Sequence, residues 1–337
     1  MILIDALYIN NGGGKVLLEY LIEEFENSNE KVYYLIDKRI EDSHPVIKFS
    51  NTVKYIEPNY LKRSLFYFNN RNKFDTILCF GNVPPNYKCK AKVFTYFHQK
   101  MFLEIPKECP WFLKKSLWLK SKIVFFLKNN SDYWIVQTSV MKKAILIKLK
   151  NIDTEKVLII PFYPAQAVNK IAKKTNNTFV YVSSGSYHKN HQKLIDGFRI
   201  FYQKNNVGEL HITVEKSNIG LNNIIYSMIN LGIPIVNHGF VSKSLLKDIY
   251  AKATFSIFPS LSESFGLGII EAIENNCLII GSDLPYTHAV CEPSVVFDPT
   301  SIESIAFAFE KAISGNIVET KQIVFNDIQK IIELIKK

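Results

Sequence analysis

The sequence has no long hydrophobic run. Its longest stretch free of Lys, Arg, Asp and Glu is 217–242, and Asn, Ser, Gly and Pro interrupt it throughout. A membrane-crossing helix needs about 20 consecutive, mostly apolar residues, so none is expected. A secretory leader is not expected either, because Met1 runs straight into ILIDALYI, which reads as a strand and not as a charged n-region before an apolar one. Paired cysteine is also missing. The five cysteines, at 79, 89, 109, 277 and 291, are odd in number and never at C-x-x-C spacing. This argues against a disulfide frame or a zinc ribbon and fits reduced thiols in cytosol. His188 and His191 lie three apart without a Cys or acid at ligand spacing, so no metal centre is expected.

Acidic residues are scarce in one half only. The chain has 337 residues and a net charge of +10. Residues 1–165 hold 25 Lys/Arg against 16 Asp/Glu, whereas residues 166–337 hold 16 against 15. An anionic partner for the first half follows: a membrane surface, a phosphorylated substrate or nucleic acid. No helix-turn-helix, zinc or ribonucleoprotein motif supports the last of these, and nucleic acid is not an expected partner.

What is present is strand–helix alternation, twice. ILIDALYI, KVYYLID, DTILCFG, KVFTYFH and YWIVQT read as buried strands in the first half; TFVYVSS, ELHITVE, IPIVNHG, TFSIFPS and CLIIGSD do so in the second. Helix-period segments such as KVLLEYLIEEF, HQKLIDGFRIFYQK and SIESIAFAFEKAI separate them. The pattern predicts an α/β chain with parallel sheets covered on both faces. The expected domains are 1–165 and 178–319, joined by a linker at 166–177, with an amphipathic helix at about 320–337 that packs back on the first.

The most informative stretch is LSESFGLGIIEA, residues 261–272, in which Glu263 and Glu271 bracket seven residues. A strand ending at Pro259 places Glu263 in a loop, and a helix starting near Phe265 or Gly266 carries Glu271. Ligands of open parallel sheets bind beyond the carboxyl ends of strands, and a helix start attracts phosphate. Gly266 and Gly268 are expected to let backbone approach that phosphate. Carboxylates suit hydroxyls instead, so the two acids point to sugars on either side of a diphosphate.

From YVSSGSYHKNHQKLIDGF through HGFVSKSLLKDIYAKATFSIFPSLSESFGLGIIEAIENNCLIIGSDLPYTHAV, the chain resembles the retaining glycosyltransferases of family 4, strongly over about 180–300 and more weakly over 1–160. The resemblance implies the GT-B fold, two Rossmann-like domains with parallel sheets facing a cleft. It implies that Glu271 binds the ribose, that Glu263 contacts the transferred sugar, and that Ser264, Phe265 and Gly266 offer amides to sugar and diphosphate. Lys189 would neutralise the diphosphate, and Gly239, Phe240 and Val241 in HGFV would line the base pocket. Gly12, Gly13 and Gly14, between the first strand and first helix, match the family's glycine loop. His98, in TYFHQ, matches its active-site histidine. One departure is clear: where the family carries an arginine four or five residues before the lysine, this chain has Ser184 and Gly185.

The activity implied is transfer of a sugar from a UDP- or GDP-sugar to a glycan or polyprenyl-diphosphate-linked acceptor, as in bacterial O-antigen or capsule synthesis. No cofactor is implied, and without an Asp-x-Asp motif no metal bridge to the diphosphate is expected. Residues 107–128 hold six lysines and two of the three tryptophans. Two readings stay open for them: a helix on an anionic membrane surface, giving a cytoplasmic protein peripheral to the inner face of the plasma membrane, or an ordinary domain helix. The alternative to an enzyme is a non-catalytic GT-B partner that binds sugar or another transferase.

Overall fold

The computed structural model describes residues 1–105, 109–165 and 174–336. They form two compact units, Met1–Pro164 with Phe325–Lys337, and Ala165–Val324. In the first unit the elements run β1 (Ile2–Ala6), α1 (Gly12–Asn27), β2 (Val32–Asp37), β3 (Thr52–Ile56), α2 (Tyr60–Asn70), β4 (Thr76–Cys79), β5 (Lys92–Tyr96), α3 (Trp111–Leu127), β6 (Tyr133–Val136), α4 (Ser139–Leu149) and β7 (Val157–Ile159). The second unit runs β8 (Thr175–Tyr181), α5 (His191–Asn205), β9 (Glu209–Ile212), α6 (Ile219–Asn230), β10 (Ile235–Asn237), α7 (Lys243–Lys252), β11 (Ala253–Phe258), α8 (Leu267–Glu274), β12 (Leu278–Ser282), α9 (Pro285–His288), β13 (Cys291–Glu292), β14 (Val295–Phe297), α10 (Ile302–Ile313) and β15 (Lys321–Gln322). Helix α11 (Ile328–Lys336) returns the chain to the first unit.

The first sheet has the order β3-β2-β1-β4-β5-β6-β7 and the second β10-β9-β8-β11-β12-β14, with all described pairs in both parallel. Parallel sheets need cover on both faces, and strands such as ILIDA are buried at every position. In the first unit Ile77 and Cys79 of β4 pack with Phe66 and Tyr67 of α2. The intervening Leu78 points the other way, toward Leu21 of α1 and Ile331 of α11. Val93 joins the α2 cluster and Phe97 joins Val124 of α3, so α2 and α3 cover the same face.

In each unit the first strand lies between strands that the chain reaches in opposite directions. The strand order therefore reverses between β1 and β4 in one and between β8 and β11 in the other. Such switch points open a crevice at the carboxyl ends of the strands.

Several expectations change in detail. Gly12–Gly14 form the first turn of α1 and not a loop before it. Glycine disfavours helix interiors, but first-turn N–H groups have no intrahelical acceptor to lose. Thr175–Asn177 of the expected linker are already strand, while 166–173 lie outside the described residues. The closing helix spans only Ile328–Lys336, because Lys321–Gln322 pair as a strand with Cys291–Glu292. There it packs on α1: Gln329 donates to Glu24 at 3.1 Å, and Asn326, just before it, donates to the Tyr20 hydroxyl at 2.9 Å. All five cysteines are unpaired and buried.

Candidate functional site

The second unit concentrates charge at its switch point. After β8 the chain makes a short turn at Tyr187–Lys189 and enters α5 through Asn190, in the left-handed conformation at φ 59°. After β11 it passes Pro259–Ser264 and enters α8 through Gly266, at φ 82°. This is a conformation that glycine adopts without strain. Lys189 Nζ donates to Glu263 Oε1 at 2.5 Å, with the two side chains 22% and 16% exposed. Burial pushes the Glu263 carboxyl up, but Lys189 outweighs it and holds the carboxyl below its usual range.

Groups that no motif announces fix this pair. The Tyr181 hydroxyl donates to the Lys189 carbonyl at 3.0 Å and shares a 2.9 Å hydrogen bond with the Ser260 hydroxyl. Asn190 Nδ2 donates to the carbonyls of Pro259 at 3.1 Å and Pro299 at 2.8 Å. The Tyr286 hydroxyl donates to the Ser260 carbonyl at 2.9 Å, and Leu261 N–H to the His188 carbonyl at 2.8 Å. The two loops are thus laced together through backbone carbonyls. Asn190, inside the HKNH stretch, is the one such residue with a sequence signal, since asparagine tolerates the left-handed region.

The other candidates fall on the same sheet edge with different surroundings. Glu271 is half-buried on α8, near the buried Tyr250. Phe265 is 3% exposed, so its side chain belongs to the core and only its backbone can serve a ligand. Gly268 corrects the sequence reading. A Cβ there would sit 3.2 Å from Phe258 and 3.6 Å from the Tyr250 hydroxyl, so this glycine lets α8 press on β11. Beyond β10, Gly239 N–H donates to Asn237 Oδ1 at 3.1 Å, Phe240 is 84% exposed, and Val241 is half-buried. The absent arginine has a structural counterpart: a Cβ on Gly185 would lie 2.2 Å from Asn218 Nδ2, which donates to the Gly185 carbonyl at 2.9 Å. His191 is 3% exposed and packs at a tilt on Tyr181, ring centroids 4.9 Å apart, beneath the Lys189 turn.

The first unit brings together Gly14 and His98. A Cβ on Gly14 would lie 3.1 Å from His98 Nε2. The imidazole packs against Tyr96 and Phe80 at 5.0 and 5.6 Å. Burial pushes its pKa down to about 4, so it is neutral at physiological pH. Asn82, 6% exposed, accepts from the His98 N–H at 2.7 Å. One layer below, Arg63 is 2% exposed and pairs with Asp5 at 2.7 Å. It also donates to the carbonyls of Val83 at 2.8 Å and Pro84 at 2.9 Å and to Asn86 Oδ1 at 3.0 Å. Sequence reading missed both Asn82 and Arg63.

In α3 the buried residues are Leu117, Ser121, Val124 and Leu127. Trp111, Phe112, Trp118 and Phe126 stay 77%, 64%, 54% and 81% exposed. Lys128, one of the six lysines counted above, instead caps α4, donating to the carbonyls of Leu149 at 2.6 Å and Lys150 at 2.7 Å. Lys107 lies outside the described residues. No described helix is long and apolar enough to cross a membrane.

Residues 165–326 match the family described as Glycosyl transferases group 1. A stretch of 187 residues, 54% of the chain, is 28% identical to the O-antigen chain mannosyltransferase RfbU of Salmonella typhimurium. That match covers 51% of the relative, so the chain spans about half the length of the curated protein it resembles. Among solved structures, the lipopolysaccharide outer core galactosyltransferase WaaB aligns at TM-score 0.63 and 16% identity, over 99% of this chain and 94% of that one. Anabaena HepE, solved with UDP-glucose, aligns at 0.68 and 14%, over 93% and 89%. Sucrose-phosphate synthase from Thermosynechococcus elongatus aligns at 0.71 and 14%, over 93% and 90%. At these identities the structural likenesses establish the fold. The chain has the GT-B fold, and its second unit, which carries the Lys189–Glu263 pair, is the part that matches the glycosyl transferases group 1 family.

Proposed function

We propose that the protein is a retaining glycosyltransferase that moves a sugar from a UDP- or GDP-sugar to a glycan or lipid-linked saccharide in surface polysaccharide synthesis. The observation that carries this reading is the Lys189–Glu263 pair, held at 2.5 Å at the switch point of the unit that matches the glycosyl transferases group 1 family. The acceptor oxygen attacks the anomeric carbon, the bond to the diphosphate breaks, and the departing phosphate takes the acceptor's proton. Lys189 and the first-turn amides of α5 and α8 meet the charge that grows on the leaving group, which is electrostatic stabilisation and needs no metal. Glu263 orients Lys189 and accepts from sugar hydroxyls, Glu271 accepts from the ribose, and Phe240 offers a face to the base. The RfbU and WaaB names support a lipopolysaccharide-type acceptor, and the HepE complex supports a UDP-sugar donor.

The first unit is assigned the acceptor and, through α3, an anionic membrane surface. Exposed Trp111, Trp118 and Phe126 beside Lys114, Lys115, Lys120 and Lys122 combine the apolar and cationic halves of an interfacial helix. Leu61, Leu65 and Phe68 of α2, a helix on the same face of the sheet as α3, are also 75%, 62% and 59% exposed.

The test is a panel of UDP-, GDP-, ADP- and CMP-sugars with and without a polyprenyl-diphosphate-linked sugar, run with and without EDTA. The anomeric configuration of the product is read by NMR. Turnover of one donor with retained configuration, lost in Lys189→Ala and Glu271→Ala, supports the proposal. Silence, with no nucleotide binding by calorimetry, would favour a non-catalytic sugar-binding partner, a reading to which the absence of an arginine at 184 and 185 points.

A further inference from the structure

We propose that Asn82 is a positioning residue that locks His98 in its Nδ1–H tautomer, so that Nε2, facing the first turn of α1, stays a hydrogen-bond acceptor for a substrate hydroxyl. The argument begins with the orientation of the Asn82 amide. Its oxygen accepts the main-chain N–H of His98 at 2.7 Å, which makes the other terminal atom Nδ2, a donor. Nδ2 lies 3.3 Å from His98 Nε2. A donor facing Nε2 requires a lone pair there, so the ring proton sits on Nδ1. Nδ1 is buried with no partner among the described residues, so no protein donor there opposes Asn82 in choosing the tautomer. At 3.3 Å the Asn82 contact is long, which leaves Nε2 able to accept a shorter bond from a hydroxyl.

Asn82 is itself held in place. It adopts φ 67° and is 6% exposed. On one side, Gly81 passes so close to the loop after β1 that a Cβ would sit 2.1 Å from the Leu7 carbonyl oxygen. On the other, Arg63 ties down the carbonyls of Val83 and Pro84. Buried charge, loop and amide thus form one chain ending at the imidazole, and the substrate class at its end is a donor sugar or an acceptor saccharide.

The kinetic part of the test rests on the proposed transferase activity; the spectroscopic part does not. Uniformly 15N-labelled protein at pH 7.5 gives the tautomer of each ring from two-bond nitrogen–proton correlations, and His98 is assigned by the peaks lost in His98→Gln. The wild type should show a protonated Nδ1 and a bare Nε2. Asn82→Asp keeps an acceptor for the His98 N–H but turns an acceptor toward Nε2, so the proton should move to Nε2. With a competent donor, kcat should fall at least tenfold while donor KM stays within twofold. An Nε2–H tautomer in the wild type overturns the proposal, even if Asn82→Asp does not fold. So does an Nδ1–H tautomer persisting in folded Asn82→Asp. If wild-type protein turns over no donor, the nitrogen spectra still decide the tautomer claim and the failure falls on the activity alone.

Discussion

The two units share one strand order over six strands yet use charge in opposite ways at their switch points. In the second, the Lys189–Glu263 pair stands beyond the strand ends, 22% and 16% exposed, where a ligand can reach it. In the first, the Arg63–Asp5 pair is 2% and 1% exposed, and the residues above it are neutral: glycine, asparagine and histidine. A buried pair must have every donor and acceptor satisfied to be tolerated, and Arg63 spends its guanidinium on Asp5, three loop carbonyl-type oxygens and the face of Tyr67. A half-open pair keeps capacity for something else. The same fold therefore makes a brace from one ion pair and a candidate reaction centre from the other, and depth decides which.

Mutation of each pair separates the two. Arg63→Met should cost about 3–5 kcal/mol of stability by leaving Asp5 buried without its partner, read as a lower denaturant midpoint. Lys189→Ala should leave the midpoint nearly unchanged and lower kcat about 100- to 1000-fold, the loss seen when one donor to a developing anion is removed. A large stability loss in Lys189→Ala would erase the distinction. His191 sharpens it on the stability side. Burial pushes this ring down to about 3 from an ordinary value of 6.5. Between those values the unfolded chain takes up a proton that the folded chain refuses, so stability falls as pH falls through that window. His191→Phe should therefore gain about 2 kcal/mol at pH 5 and little at pH 8, by thermal unfolding at each pH. Gly14→Ala should cost about tenfold in kcat by displacing His98, a small fraction of the loss that misplacement at a reacting centre can cause, with stability within about 1 kcal/mol. Smallest is the surface term: each Lys→Ala among 114, 115, 120 and 122 should weaken binding to anionic vesicles by about 1 kcal/mol, and not to neutral ones.

The sequence revealed the central strands and the two acids because these depend on local pattern. TFSIFPS and CLIIGSD are short apolar runs, and their burial in β11 and β12 follows directly. Strand β3, TVKYI, escaped because it lies at a sheet edge, where nothing forces every position to be apolar. Helix α6, IGLNNIIYSMIN, was hidden in the charge-free window, since its exposed side carries Asn, Ser and Tyr in place of charged residues. The pairing of Lys189 with Glu263 spans 74 positions, and the Tyr181–Ser260 hydrogen bond spans 79. Such contacts exist only once parallel strands have been laid side by side. Asn82 and Arg63 left even less trace, because CFGNVPPN and YLKRSLFY read as a strand end and a helix with an ordinary surface arginine.

Gly81 carries a consequence for anyone who would diversify this chain. A single methyl group at that position meets a carbonyl oxygen at 2.1 Å, between the ends of β1 and β4. A randomised library that includes position 81 will therefore lose inhabitants to misfolding before any choice of substrate is made. A library that spares it can vary Gly220, around which a Cβ meets nothing within 4 Å, whereas Gly12 and Gly239, at φ 59° and 67°, resist a side chain although the space around them is open. At position 81 the fold itself asks for glycine, before any ligand is considered.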